Sequence, residues 1–151
     1  MATRSNIAII LKEEDKERVF AELNERLEEA GNNRFRYGKD NGNVLQIYCH
    51  WDGYPEGVGK DLLSHFNSYD AALKLILEGD HSTPHESYTS MGGDWESNRP
   101  VQRTQPRRCE EYLYVFKDGN WKIPVIDEMI DIEYIDAEGY CSIKDYLEFR
   151  Y

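Results

Sequence analysis

The alternation of apolar and polar positions along the chain predicts its first strand and its first helix. Residues 5–11, SNIAIIL, are almost continuously apolar and rich in β-branched side chains, which favours a short buried strand. Between 13 and 30 the apolar residues recur at helical spacing, and Gly31 follows as a helix-ending cap. The residues that form the apolar face of this helix are Val19, Phe20, Leu23 and Leu27.

The middle of the chain repeats this change from strand-like to helix-like patterning. Residues 32–43 are rich in Asn and Gly and predict turns, after which 44–49 predict a second strand. Apolar residues at helical spacing follow between 58 and 66. A further helix is expected to begin at Ser68, whose hydroxyl suits an N-cap, and to end at Gly79.

The last part of the chain begins with a long segment, 80–109, that shows no sustained periodicity. Ordered loops of this length are uncommon and are often lids or binding segments, so we expect an irregular functional loop. Residues 111–125 alternate aromatic and aliphatic side chains around Asp-Gly-Asn, which is typical of a β-hairpin. Residues 129–135 alternate as another strand, and 142–149 predict a short closing helix.

These elements predict an α+β fold, with a mainly antiparallel sheet of about five strands and helices packed on one face. A chain of 151 residues is expected to form a single domain, which here comprises residues 1–151. Within that domain, 13–30 is an inserted helix and 80–109 is a long loop.

Composition excludes several classes of protein. The apolar share of 40% and the aromatic share of 13% are those of a globular chain rather than a disordered one. No apolar run reaches the ~20 residues that span a bilayer, and the N-terminus lacks a signal-peptide pattern. We therefore expect a cytoplasmic protein that does not act at membranes. The three cysteines include no CxxC pair, which favours reduced thiols over a disulfide or a zinc ribbon.

Charge is distributed unevenly along the sequence. The formal net charge of −11 argues against a nucleic-acid binder, because phosphate neutralisation requires clustered Lys and Arg. Between Glu96 and Glu110, however, several arginines occur without any acid. They are Arg99, Arg103, Arg107 and Arg108. Such an island is typical of a local anion site, although pairing of these arginines with surface acids accounts for it equally well.

The stretch IYCHWDGYPEGVGK, residues 47–60, concentrates polar and aromatic side chains at a strand–helix junction. Its glycines do not complete a nucleotide-binding motif. A dinucleotide fingerprint needs a glycine where Leu62 stands, and a phosphate loop needs Ser or Thr where Asp61 stands. Gly57 and Gly59 are therefore expected to allow close packing of helix on sheet. Like any helix start, this stretch also offers free backbone N–H groups.

Metal and acid–base chemistry are alternatives for this junction. His81 and His85 lie four residues apart, with His50 and Asp52 available from the earlier turn. Pro84 argues against a regular helix there, so we expect no metal site and no cofactor. His50 and Asp52 share a strand face and fit either an acid–base pair or a structural hydrogen bond.

Recognition of a flat anionic small molecule is a third possibility. Such a ligand needs aromatic faces for stacking, cations for its phosphates and polar groups that read its edges. The candidate faces are Trp51, Tyr54, Tyr88 and Trp95. Arg4 and the loop arginines offer cations, and Asp52 offers an edge-reading carboxylate. Most other aromatic side chains, including those of the hairpin, are expected in the core.

Four stretches of the chain occur together in a recognisable combination. They are MATRSNIAI at 1–9, IYCHWDGYPEGVG at 47–59, Gly-Asp at 79–80 and EEYLYVFKDGNWKIP at 110–124. This combination resembles a widespread family of small phage and prophage proteins, in which the Tyr-x-His-Trp-Asp-Gly-Tyr-Pro turn is the most specific motif. The helix at 13–30 and the Arg- and Pro-rich stretch at 96–109 depart from the family pattern.

Relatives in this family are similar to viral sponge proteins, which sequester the cyclic-nucleotide alarm signals of CBASS-type antiphage defence without cleaving them. The resemblance implies a non-enzymatic anti-defence protein of the host cytoplasm that binds a cyclic dinucleotide such as cyclic GMP–AMP. The matching motif positions imply a ligand site formed by Arg4, His50, Trp51, Asp52 and Tyr54. Charge alone adds three residues of the divergent stretch, Arg99, Arg103 and Arg107.

Burial of a dianionic ligand is easier when two subunits close over it. We therefore expect a homo-oligomer with ligand sites near its subunit interfaces. Two other functions stay open: a phosphodiesterase-like nucleotide hydrolase that uses His50 and Asp52, and an acidic inhibitor that binds a host protein.

Overall fold

A computed structural model describes residues 2–125 and 130–150 of the chain. The strands are β1 Ser5–Ile10, β2 Val44–Cys49, β3 His81–Thr83, β4 Glu86–Ser87, β5 Val101–Arg103, β6 Tyr112–Lys117, β7 Asn120–Pro124 and β8 Tyr140–Ser142. The helices are α1 Lys16–Glu29, α2 Lys60–His65, α3 Tyr69–Leu77, α4 Trp95–Asn98 and α5 Ile143–Arg150. A π-helical turn, Pro55–Gly59, leads directly into α2.

The described strands form one mixed sheet in the order β4–β3–β2–β1–β6–β7–β8, and β5 pairs with the first half of β2. β1 is antiparallel to β2 but parallel to β6, so that Ile7 lies between Ile47 and Tyr114. The α+β prediction is confirmed. The sheet has eight strands rather than about five, and the β1–β6 and β2–β3 pairs are parallel.

One face of the sheet carries the main hydrophobic core beneath the helices. Ile7, Ile47 and Tyr114 point into this core, where the whole predicted apolar face of α1 is also buried. α3 begins as predicted, because the Ser68 Oγ accepts the N–H of Ala71 at 3.1 Å. α1, α2, α3 and α5 all contribute side chains to this one cluster.

The opposite face of the sheet carries a smaller apolar cluster and two buried amide side chains. The apolar members are Ala8, Val44, Leu113 and Val115. Gln46 is 3% exposed, and its amide accepts the N–H of Arg107 at 2.9 Å and donates to the Arg107 carbonyl at 2.7 Å. Asn6 Oδ1 accepts the N–H groups of Cys109 and Glu110 at 2.8 and 2.9 Å. These amides fasten the segment before β6 across this face.

Two predictions for the last part of the chain differ from the structure. Segment 80–109 contains β3, β4, α4 and β5, whose two to four residues are too few to show a hydrophobic period. Of the predicted strand 129–135, Met129 lies outside the described residues, and Ile132–Tyr134 is a 3₁₀ turn. Ile132 is 86% exposed, so the alternation in this segment does not mark a buried strand face.

The predicted hairpin and closing helix are confirmed as β6–β7 and α5. Asp118 and Gly119 at the hairpin tip have φ angles of 52° and 80°, the two positive values that a type I′ turn requires. Among the described residues, none of the helices combines the length and the apolar character needed to cross a membrane.

Replacing Gln46 with Leu tests whether the amide holds the segment before β6. The change leaves the N–H and carbonyl of Arg107 without partners, so the free energy of unfolding should fall by roughly 1–3 kcal/mol. Urea denaturation measures this fall, and amide hydrogen exchange should accelerate at 104–110. Gln105→Leu alters an exposed glutamine of the same segment and should leave both measurements near wild type.

Candidate functional site

The Tyr-x-His-Trp-Asp-Gly-Tyr-Pro motif lies where β2 ends and the chain reverses into the π-helical turn. The backbone N–H groups of His50 and Trp51 donate to the carbonyls of His81 and Ser82 at 3.1 and 2.9 Å. These two bonds extend the pairing between β2 and β3 beyond Cys49. The motif therefore leaves the sheet from a fixed position.

The turn itself is tied to both neighbouring strands. The Gly53 N–H donates to the carbonyl of Thr3 at 2.8 Å, and the Tyr114 hydroxyl donates to the Gly53 carbonyl. The Val58 N–H donates to the Asp52 carbonyl at 2.7 Å. Asp52 has a φ of 55°, which aspartate tolerates better than most non-glycine residues. These contacts hold the backbone in one conformation.

The two glycines that follow the turn have different roles. A Cβ on Gly59 would lie 3.3 Å from the side chains of Ile143 and Tyr114, so this glycine allows the expected close packing of helix on sheet. A Cβ on Gly57 would lie 2.2 Å from the Asp52 carbonyl oxygen. Gly57 is therefore needed by the turn rather than by the helix–sheet contact.

This backbone displays aromatic side chains to solvent. Trp51 is 46% exposed and Tyr54 is 38% exposed, whereas Pro55 beside them is buried. The Trp51 ring contacts the half-buried His50 ring edge-on, with centroids 4.6 Å apart. The Tyr54 hydroxyl donates to Asp52 Oδ1 at 3.2 Å.

Arg4 enters the same region from the residue before β1. Burial raises the pKa of Tyr48, and the positive charge of the Arg4 guanidinium acts in the opposite direction. The Tyr48 hydroxyl in turn forms a hydrogen bond with Nδ1 of His50. Five of the eight predicted ligand residues thus lie at one end of the sheet, and we name them the turn site: Arg4, His50, Trp51, Asp52 and Tyr54.

Sequence reasoning missed Tyr48 as a member of this region. The signal was its spacing of two residues from His50, which places both side chains on one face of an extended strand. The structure pairs His50 with Tyr48 and Asp52 with Tyr54, not with each other. The hydrogen-bonded His50–Asp52 pair considered for acid–base catalysis is therefore not formed.

The three loop arginines do not join the turn site within one chain. The Arg99 guanidinium lies over the Phe35 ring, 4.6 Å from its centroid. Arg103 pairs with Val44 at the start of β2, which is about 20 Å along the strand from His50. The backbone of Arg107 is held midway along β2 by the Gln46 amide. These residues were predicted from their charge, but their positions in the fold keep them apart from the turn site.

Arg103 and Arg107 do border a shared cavity of about 510 Å³. The Nε of Arg103 is buried and has no hydrogen-bond partner among the described residues. A buried N–H donor without a partner costs free energy.

A neighbouring cleft of about 780 Å³ is less suited to an anion. It lies next to Ile10, at the end of β1 that is opposite Arg4. Its rim includes Lys12, Lys117 and Tyr140. Lys117 already forms ion pairs with Glu138 and Asp136 at 2.9 and 3.3 Å. Its charge is therefore balanced within the protein.

Two other residues considered as sites, Trp95 and His81, have structural roles. Trp95 is 8% exposed, and its indole donates to the carbonyl of Leu77 at 3.0 Å. His81 is 1% exposed, its Nδ1 lies 2.6 Å from the Gly79 carbonyl, and burial lowers its pKa. His85 is exposed and forms a contact with Asp61 instead of with His81.

Asp80 is a titratable group at the border of the turn site. Its Oδ1 accepts the N–H of Tyr48 at 2.9 Å, and its carbonyl accepts the N–H of Tyr88 at 3.1 Å. Burial raises the pKa of Asp80 to about 6, although the hydrogen bond from Tyr48 favours the charged form. This carboxyl group is therefore partly protonated near neutral pH.

Replacing Gly57 with Ala should distort the turn, because the added methyl group meets the Asp52 carbonyl oxygen. The free energy of unfolding should fall by about 1–3 kcal/mol, as measured by urea denaturation. Gly38→Ala is a suitable control, since its Cβ would meet only the Asn41 side chain at 3.6 Å. Equal unfolding midpoints for the two variants would show that the turn accommodates the methyl group.

Replacing Asp80 with Asn should change how stability depends on pH. The pKa of Asp80 is raised from 3.8 to about 6, so the folded state holds this proton more tightly and loses stability as pH rises through that interval. Asp80→Asn keeps an acceptor for Tyr48 and should exceed wild-type stability by roughly 2–3 kcal/mol at pH 7, but not at pH 4. Thermal and urea unfolding across this pH range measure the difference. The control is Asp40→Asn, which removes an exposed carboxylate elsewhere on the surface.

Comparison with protein-family models, with curated proteins and with solved structures finds no match for this chain. The resemblance to phage proteins therefore stays a prediction, and the function has to be inferred from the chemistry of the turn site.

Proposed function

We propose that this protein is a phage anti-defence sponge that binds a cyclic dinucleotide, such as cyclic GMP–AMP, and sequesters it without cleaving it. The observation that carries the proposal is the turn site, in which a pinned backbone holds Trp51 and Tyr54 in solvent beside Arg4. Large exposed aromatic side chains on a rigid backbone are typical of binding surfaces.

The chemistry of the turn site matches the parts of such a ligand. Aromatic rings stack on nucleobases of any identity, and Trp51 and Tyr54 offer two of them. The Arg4 guanidinium suits a bridging phosphate, because it donates several hydrogen bonds and keeps its charge. The Asp52 carboxylate can accept hydrogen bonds from the amino groups on a base edge.

The pairing of polar groups favours binding over hydrolysis. The hydrolase alternative uses His50 and Asp52 as an acid–base pair, in which the carboxylate orients the imidazole. In the structure His50 Nδ1 is hydrogen-bonded to the Tyr48 hydroxyl, and Asp52 Oδ1 accepts from Tyr54. Because His50 and Asp52 are not hydrogen-bonded to each other, this arrangement favours separate recognition groups over an acid–base pair.

The loop arginines reach the ligand from a second subunit in this proposal. One chain keeps Arg103 about 20 Å along β2 from His50, so the two halves of the predicted ligand site can meet only when another copy approaches. The unpartnered Nε of Arg103 supports an external anion at that cavity. The protein is accordingly expected to be a homo-oligomer whose sites lie at interfaces.

Ligand depletion tests this function. The protein is mixed with a panel of cyclic dinucleotides, the free ligand is measured after ultrafiltration, and the bound fraction is released by heat for mass spectrometry. We expect at least one ligand to be depleted and recovered intact. Trp51→Ala should weaken binding by roughly tenfold to a hundredfold, because one stacked base loses its platform.

Tyr134→Ala is the matched control for that variant, since Tyr134 is an exposed aromatic residue that contacts Phe149 and lies outside the turn site and the loop arginines. Its affinity should equal that of wild type. Release of a linear nucleotide would overturn sequestration in favour of hydrolysis. Failure to deplete any member of the panel would overturn cyclic-dinucleotide binding itself.

Mixing two inactive variants tests the contribution of a second subunit. Trp51→Ala and Arg103→Ala chains are each expected to bind poorly alone. After co-expression as a dimer, about a quarter of the sites should combine an intact Trp51 with an intact Arg103 from the other chain. No recovery of binding on mixing, or wild-type binding by Arg103→Ala alone, would exclude Arg103 acting from the second subunit.

A further inference from the structure

A cluster of metal-binding side chains lies outside the turn site and plays no part in the proposed function. α2 contributes Asp61 and His65, and the turn between β3 and β4 contributes His85. Asp61 Oδ1 lies 2.8 Å from His85 Nε2 and 3.9 Å from His65 Nε2. All three ligand atoms lie within 4.8 Å of one another. We name these residues the His–Asp cluster.

Local structure explains why these side chains converge. Asp61 and His65 are four residues apart on α2, so they lie on the same face of the helix. The His85 ring contacts the His65 ring and the Phe66 ring, with centroids 5.2 and 5.3 Å away. The His85 N–H donates to Thr83 Oγ1 at 3.3 Å, which fixes the backbone of the turn.

The separations suit a tetrahedral metal ion. Ligand atoms at the usual zinc distances of 2.0–2.2 Å lie about 3.3 Å from one another. The two distances measured from Asp61, 2.8 and 3.9 Å, bracket that value. Both imidazoles are at least half exposed, so small side-chain rotations can equalise the triangle without moving the core.

We propose that the His–Asp cluster binds one zinc ion per chain. Two imidazole nitrogens and one carboxylate oxygen form a common zinc ligand set, and three protein ligands leave a fourth position for water. A divalent cation engages both histidines and the Asp61 carboxylate at once.

The bound ion fastens α2 to the β3–β4 hairpin. The carbonyls of His81 and Ser82 on the same hairpin accept the N–H groups of His50 and Trp51. The bound ion therefore also stabilises this edge of the sheet. Zinc therefore stabilises the folded state by mass action. The inference does not depend on what the turn site binds.

Zinc titration tests the cluster directly. The probe is Zn²⁺ alone, added to Cys109→Ser protein so that the exposed thiol cannot contribute. Calorimetry should give one equivalent per chain, and Tm should rise by about 5–10 °C at a hundredfold excess over Kd. Substituted Co²⁺ should show the intense visible absorption of a tetrahedral site without a thiolate band.

His85→Ala and His65→Ala should each weaken zinc binding by at least about tenfold, and Asp61→Asn should do the same. These side chains lie at the surface, so the variants are expected to fold as wild type. The matched control is Asp70→Asn, which changes an exposed aspartate elsewhere and should keep the full response. Binding that persists in His85→Ala, or a stoichiometry of zero or well above one, would overturn the proposed site. Neither outcome bears on nucleotide depletion, so the two proposals fail separately.

Discussion

The hydrogen bond from the Tyr114 hydroxyl to the Gly53 carbonyl connects the centre of the sheet with the turn that follows β2. Tyr114 is fully buried on β6, and burial raises the pKa of its hydroxyl, which therefore stays a donor. The Gly53 N–H donates to the carbonyl of Thr3, which lies just before β1. Because β6 and the residues just before β1 both hold the backbone of Gly53, the side chains of the turn are presented by a rigid base rather than by a mobile loop. Rigid presentation lowers the entropic cost of ordering side chains around a ligand.

A second constraint acts on the opposite face of the sheet. Asn6 and Gln46 are buried polar residues in strands that are otherwise apolar, and burial of an amide is unfavourable unless it is hydrogen-bonded. Both amides are bound to the backbone of the segment before β6. That segment carries Arg107 and Arg108, so the same bonds that satisfy the amides also decide where this positive charge lies. This positive charge therefore lies alongside β2, whereas the turn site lies where β2 ends.

Much of the fold follows from local pattern. The long runs were predicted correctly, namely β1, α1, β2, α3 and the β6–β7 hairpin, because a period of two or of 3.6 needs several residues to be visible. The short strands of segment 80–109 carry no such period. β3 and β5 form because the edge of β2 offers them partners, and β4 then pairs with β3. The alternation at 130–135 is the converse case, because Ile132–Tyr134 forms a 3₁₀ turn and leaves Ile132 exposed.

The sequence by itself indicated that the side chains of residues 50–54 lie close together, since a strand followed by Asp-Gly and Tyr-Pro must reverse there. It also determined the helix caps and the hairpin tip, which depend only on neighbouring residues. Only the tertiary structure decided which distant groups meet. It separated Arg99, Arg103 and Arg107 from the turn, gave His50 a tyrosine partner, and brought His85 to Asp61 and His65 on α2. These contacts are set by strand order and register, which bring residues tens of positions apart into contact and leave no trace in local periodicity.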